Sequence, residues 1–383
     1  METLILGWYV LVETGSVLLL TLFASLLYLG TLIAPMFGVV GDRIGHRAVL
    51  CAMRAFYAVL AATLMTFALT GVLTPLHVFV IVALMGLVRP SDIGVRAAVV
   101  GDTMPSAQLM GAMSIQRTTS DSARIAGALS GAGLVAMLGM GRAYLVVTGL
   151  YALSVWLTWK AGERAAAMRH PAFARASPWR ELKEGVAYVR RTPHLLAMMF
   201  LAFLFNFGAF PLMNGLLPYV AREIYRTDRT GLGYMSAGAA FGALLGSIVL
   251  SRYGGALRPA RTMIVFCLAW FALLLVFAHT TGPETGVPML IFAGFAQSLA
   301  MIPLATVLLR NSDEQFRGRV MGLRMLAIYG NLPGLLLSAP LIDRFGYAAT
   351  ASLYCTVGIV FTVLITLRWR AALWRHDAPS NTR

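Results

Sequence analysis

The chain has 383 residues, of which 58% are hydrophobic and only 12% charged. That leaves too few polar side chains to cover a water-soluble globule of this length, so the chain belongs in a bilayer. A formal charge of +15 does not signal nucleic acid, because the basic residues are not gathered into a stripe with interleaved aromatics.

Lipid offers backbone amides no hydrogen-bond partner, so apolar runs of about 20 residues must cross as helices. In chain order such runs fall near 16–40, 49–70, 76–99, 112–137, 143–160, 194–221, 231–251, 261–279, 287–309, 320–342 and 347–369. The residues before them, Met1 to Val12, suffice for only part of a crossing at ~1.5 Å per residue. The first helix is therefore expected to be incomplete in this chain, with the natural start upstream. The longest polar stretch, 161–192, divides an N-terminal bundle at 1–160 from a C-terminal bundle at 193–370, and a tail follows at 371–383. Within the divider, Ser177-Pro178 opens an amphipathic helix expected to lie on the membrane surface.

Positive residues in short loops are retained on the cytoplasmic side. Arg43, Arg47 and Arg54, the basic residues from Lys160 to Arg191, the Arg310 to Arg319 loop and the tail from Arg368 all fall on one face. That face, with the C-terminus and the 161–192 loop, is expected to be cytoplasmic.

Ionisable residues inside spans cost about 2.5–3.5 kcal/mol each and by default face a cavity or a partner. Asp92 lies between Arg89 and Arg96, and Asp121 between Arg117 and Arg124, at spacings that share a helical face. Two readings stand side by side: a carboxylate that exchanges a proton during transport, because burial raises and a neighbouring arginine lowers its pKa, or static pairing that fixes helix packing. Asn206, Asn214, Arg324, Tyr329 and Asn331 are candidates to line a substrate cavity or, equally, to act as structural hydrogen bonders. Gly238, Gly242 and Gly246 repeat every fourth residue, a spacing that lets helices touch closely. Cys51, Cys267 and Cys355 lie within or at the ends of apolar runs without metal-ligand spacing, and read as small hydrophobes. No metal site, cofactor site or nucleophile with its base is expected, and the chain does not read as an enzyme.

Between the first two runs stands Gly38-Val-Val-Gly-Asp-Arg-Ile-Gly-His-Arg-Ala-Val-Leu50. Its pattern of Gly38, Asp42, Arg43, Gly45, Arg47 and Leu50 resembles the loop after the second helix of the major facilitator superfamily. The resemblance implies an all-α integral membrane protein of two six-helix bundles that moves a small molecule by alternating access. It implies that Asp42, Arg43 and Arg47 gate the outward-facing state, and Asp102, at the inner end of the fourth helix, is a candidate partner for Arg43 or Arg47 or else a solvated helix-end carboxylate. A plain structural turn would also favour Gly, Asp and Arg.

The segments Arg180-Glu181-Leu182-Lys183-Glu184-Gly185-Val186-Ala187-Tyr188-Val189 and Arg317-Gly318-Arg319-Val320-Met321 resemble the bacterial siderophore and macrolide exporter branch. That resemblance implies proton-driven export of a small organic molecule by a monomer in the bacterial inner membrane. Uptake of a metabolite, or a non-transporting sensor or truncated homologue, remains the alternative.

Overall fold

The computed structural model describes residues 2–31, 33, 37, 40, 44–103, 106–161, 178–253, 257–313 and 316–375. Regular structure among these residues is helical, without strands. Nine of the described helical segments are long and apolar enough to cross a membrane.

The N-terminal half begins with α1 (Glu2–Thr14), α2 (Val17–Leu26), α3 (His46–Leu69) and α4 (Pro75–Thr103). It ends with α5 (Ser106–Ala161), two helical arms that meet at a kink at Gly139. The sequence divides this stretch into spans at 112–137 and 143–160, and Gly139 is the physical divider, since its φ of 76° suits a residue without a Cβ. The arm before Gly139 carries Arg117, Asp121 and Arg124 and is not among the nine apolar segments. The run expected at 16–40 is described as α2 followed by a tight turn at Leu29–Thr31.

Next comes α6 (Pro178–Arg191), which leads into α7, continuous over Pro193–Ile224. Pro211 and Pro218 lack an N–H to donate, and α7 widens around them: the Leu216 amide reaches the Pro211 carbonyl at 3.0 Å and the Tyr225 amide reaches that of Val220 at 2.9 Å. The half continues with α8 (Arg229–Tyr253), α9 (Pro259–Ala278), α10 (Pro283–Arg310), α11 (Arg317–Leu326), α12 (Asn331–Phe345), α13 (Tyr347–Arg368) and α14 (Arg370–Arg375).

The glycine stripe of α8 packs on α10. A Cβ at Gly242 would sit 1.8 Å from the Ile291 carbonyl oxygen, and one at Gly246 would sit 2.7 Å from that of Phe295. Only glycine permits this approach.

Each half has its own buried core: Leu6, Leu20, Phe23, Leu64 and Tyr144 in the first, Phe205, Trp270, Phe271 and Phe277 in the second. Trp8 and Val17 of α1 and α2 join the second core, and Leu335 of α12 joins the first. These exchanges knit the halves where α1 ends and α7 ends: the Arg222 guanidinium donates to the Leu11 carbonyl, and a Cβ at Gly7 would touch Pro218 Cγ at 3.5 Å. The surface helix expected at Ser177-Pro178 packs on the C-terminal half as well as amphipathically presenting a polar face. Glu184 pairs with Arg319 at 2.9 Å, the Tyr188 ring stacks on Phe316 with centroids 4.3 Å apart, and Val189 is buried in the second core.

Candidate functional site

A cavity of about 410 Å³ opens inside the N-terminal half, walled by α1, α2, α3, α4 and the second arm of α5. Its walls are largely apolar, including Leu6, Phe23, Val82, Met85 and Leu150, and its polar groups converge from four helices.

Asp92 and Arg96 are one turn apart on α4, so their side chains meet on one face, and Arg96 donates to Asp92 Oδ2. Arg54 of α3 approaches the other carboxylate oxygen at 3.0 Å. That approach is an ion pair without hydrogen-bond alignment, since Asp92 Oδ1 accepts no hydrogen bond among the described residues. Asp92 is buried, and the side chain of Arg54 is 17% exposed. Taking a charge out of water is repaid only by close partners, and here one carboxylate holds two guanidiniums.

A second cluster lies across the cavity. Arg89 of α4 donates to Thr3 Oγ1 at 3.1 Å, and the Tyr151 hydroxyl of α5 donates to Glu2 Oε2 at 2.8 Å. Tyr57, one turn beyond Arg54 on α3, sets its ring 5.8 Å from that of Tyr151. The Tyr57 hydroxyl has no hydrogen-bond partner among the described residues although the side chain is only 5% exposed.

This geometry sorts the sequence candidates. It brings together Asp92 and Arg96, with Arg89 on the same cavity. It corrects one pairing: Arg89 turns to Thr3, and Arg54, a full helix away in sequence, takes the place expected for it beside Asp92. Packing of α3 against α4, which spacing along α4 alone does not show, is the reason. The side chains of Arg117, Asp121, Arg124 and Asp102 lie outside the described residues, as do Gly38, Asp42 and Arg43.

Of the loop motif, Gly45 is described at φ 95° as the residue before α3, and Arg47 donates to the Trp159 carbonyl at the end of α5. That hydrogen bond ties α3 to another helix of its own half. In the C-terminal half, Asn331 Nδ2 donates to Asn206 Oδ1 at 2.8 Å, and Asn206 Nδ2 to the Ala202 carbonyl at 2.8 Å. Both are buried and join α7 to α12. Asn214 is exposed, and Arg324 and Tyr329 are half-buried; none of the three lines the N-terminal cavity.

Sequence reasoning passes over Glu2, Arg54, Tyr57 and Tyr151 as site residues. A signal exists for two of them: Arg54 stands inside the run at 49–70, where a charge is costly, and Tyr144 and Tyr151, two turns apart, share a helix face.

The sequence profile of the Major Facilitator Superfamily matches residues 3–330. The chain belongs to that superfamily. Solved structures of the superfamily fold agree. The nucleoside transporter NupG is 15% identical with a TM-score of 0.67, and the alignment covers 95% of this chain and 94% of that one. The human organic anion transporter MFSD10 (TETRAN) is 20% identical with a TM-score of 0.65, covering 91% and 83%. The E. coli fucose:proton symporter FucP, in a single-residue variant, is 17% identical with a TM-score of 0.62, covering 96% and 97%. At these identities the likeness shows the fold. No curated protein matches the chain. The chain is thus a multi-pass membrane transporter of this superfamily, and its charged cavity is set in the N-terminal half.

Proposed function

We propose that the chain exports a small organic molecule in exchange for protons by alternating access, with the two halves rocking about a shared path. It would sit in a bacterial inner membrane with its C-terminus in the cytoplasm, as a monomer. The bundle boundaries at 1–160 and 193–370 and the gate loop around Asp42, Arg43 and Arg47 belong to this same reading.

The observation that carries it is Asp92, buried at the end of the apolar span of α4 and held there by Arg54 from one helix and Arg96 from its own. A proton on that carboxylate cancels its charge and releases Arg54, so protonation and helix packing are linked through one group. Static pairing needs no second guanidinium from another helix. The Arg222 hydrogen bond to Leu11, with Gly7 of α1 leaving a Cβ no more than van der Waals room beside Pro218, fits a state whose outer end is closed, the state that receives cargo from inside.

The test is proton flux in liposomes holding the full-length protein under a pH gradient, with amphipathic cations, neutral compounds and anions added in turn. Compound-dependent proton flux that is lost in Asp92→Asn supports exchange at this carboxylate. Flux of the same size in Asp92→Asn returns Asp92 to packing. Compound movement down the proton gradient, in the same direction as the protons, replaces export with uptake.

A further inference from the structure

We infer that the N-terminal cavity binds an amphipathic organic monoanion, its oxyanion taken by the Arg89 guanidinium and the Tyr57 hydroxyl and its apolar body by the walls of α1, α2 and α4. This assignment rests on the transport reading and names its cargo class.

The charges of the cavity do not balance. Its walls hold the guanidiniums of Arg54 and Arg89 and the carboxylates of Glu2 and Asp92, and Arg96, which does not line it, pairs with Asp92, which leaves one positive charge in excess among these described groups. Asp92 is taken by Arg54 and Arg96. Glu2 is held by the Tyr151 hydroxyl, with Tyr144 beside it and Arg89 within electrostatic reach. The excess charge sits on the Arg54–Asp92–Arg96 set and Glu2 offsets Arg89 at longer range, but Arg89 is the cavity guanidinium with no carboxylate in contact among the described residues. A guanidinium has five N–H donors, and the hydrogen bond it makes is to the Thr3 hydroxyl. No carboxylate lies within ion-pair distance of it among the described residues.

Tyr57 points to the same chemistry. Tyr57 lines the cavity, and its buried hydroxyl has no hydrogen-bond partner among the described residues. An unmet buried hydroxyl is costly and asks for a ligand atom. A phenol and a guanidinium on the walls of one cavity are two donors, the complement of a carboxylate, sulfonate or phosphate oxygen. A cationic ligand would add to the excess charge in a place where charge is expensive. A neutral ligand would leave the excess in place.

The remaining surface sets the body of the ligand. Leu6, Phe23 and Leu27 face Val82, Met85 and Leu150 across the cavity, an apolar slot whose volume of about 410 Å³ falls in the range of small-molecule sites.

Three probes with one body separate the possibilities: 4-butylbenzoate, 4-butylbenzamide and 4-butylbenzylammonium, titrated calorimetrically into the full-length protein in lipid nanodiscs. The benzoate is expected to bind at least about tenfold more tightly than the amide, with the ammonium weakest. Arg89→Gln is expected to abolish that order, Arg89→Lys to keep its sign, and Tyr57→Phe to weaken the benzoate alone. Benzoate binding no tighter than that of the amide or the ammonium overturns the assignment. Tyr57→Phe removes a single oxygen and leaves every charge in place, so an unchanged benzoate affinity in that variant moves the anion elsewhere even if Arg89→Gln fails to fold. Liposome flux with the same probes tells the two readings apart. Flux of the amide or ammonium without benzoate binding ends the anion assignment and keeps transport. Benzoate binding without flux of any probe keeps the anion site and ends the transport reading on which the cargo role depends.

Discussion

In the N-terminal half, α3, α4 and α5 bring Arg54, Arg89, Asp92, Tyr57 and Tyr151 onto one cavity, whereas α7, α9 and α13 of the C-terminal half fill their interior with Phe205, Trp270, Phe271 and Tyr354. The Phe205 and Trp270 rings lie 5.6 Å apart and Phe210 meets Trp270 edge-on at 5.5 Å. Buried polar atoms follow the same division. Among the described residues, Tyr57, Ser91, Tyr144 and Thr148 of the first half's helices hold side-chain oxygens with no hydrogen-bond partner, although Thr21, Ser25 and Thr31 are satisfied, while the second half's Asn206, Asn331, Ser338 and Thr362 are all satisfied. Among the described residues of the second half, Trp270 Nε1 and Tyr347 Oη have no partner. One half therefore spends its interior on packing and the other on groups that want a ligand or a proton, although both share an architecture.

The largest effect expected from breaking this division is in the packing half. Trp270→Ala removes a fully buried indole from among aromatic rings, and should lower stability by about 3–5 kcal/mol, read by circular dichroism as the protein unfolds in denaturant and mixed micelles. Where the protein still folds, the order in which it prefers the three probes should stay as in the parent. A changed preference would join the C-terminal core to the site and dissolve the contrast.

Asp92→Leu is the corresponding blow to the charged half. It leaves Arg54 and Arg96 without their carboxylate. The cost should be about 3 kcal/mol, at the low end for a broken buried pair, because the Arg96 side chain is 35% exposed. Unlike Trp270→Ala, it should also remove compound-dependent proton flux. Equal flux in both variants would show that Asp92 is only a packing group.

A smaller effect sharpens the contrast from the other side. Asn331→Ala leaves the Asn206 amide oxygen unpaired between α7 and α12, and polar links between membrane helices average about 0.6 kcal/mol with a maximum of about 1.7. The loss should be of that size, with flux retained. If flux collapses while stability holds, the asparagine pair lies on the transport path and the C-terminal half carries chemistry of its own.

How much of this was legible in the sequence differs between the halves too. Nine of the eleven expected spans were, because the hydrophobic period and length of each run are local properties, and so was the α8 stripe of Gly238, Gly242 and Gly246, where spacing alone implies a close neighbour; the runs at 16–40 and 112–137 are not among the described membrane-length helices. Asp92 with Arg96 was legible for the same reason, since one helical turn separates them. Arg54 and Tyr151 carried a signal as polar groups inside apolar runs, but their meeting with Tyr57 and Glu2 was not legible, because the four reach the cavity only after three more helices pack against α4, and no spacing within one helix records that. The division of 106–161 was read as two spans without its cause. Gly139, one of many glycines in the chain, gives no sign in sequence that its φ is positive.

The finest test concerns a connector outside both interiors. Asp228 precedes α8 and its carboxylate accepts the Gly231 amide at 3.0 Å, which caps an otherwise unmet donor of the first turn. That hydrogen bond favours the ionised form and holds the group below the ordinary aspartate value. A depressed folded-state pKa contributes stability that is complete above the unfolded-state value and is lost as pH falls through the folded-state value. Asp228→Ala should therefore cost about 0.5–1 kcal/mol near neutral pH, and the gap from the parent should close as the solution is acidified below the ordinary carboxylate range. Asp228→Asn caps without titrating, so its stability relative to Asp228→Ala should stay level over the same range. A gap between parent and Asp228→Ala that persists undiminished in acid would mean that the cap does not depend on charge. Neither substitution should touch the probe preference, since the residue lies on the opposite half from the charged cavity, and this separates a pH response of the scaffold from one of the site.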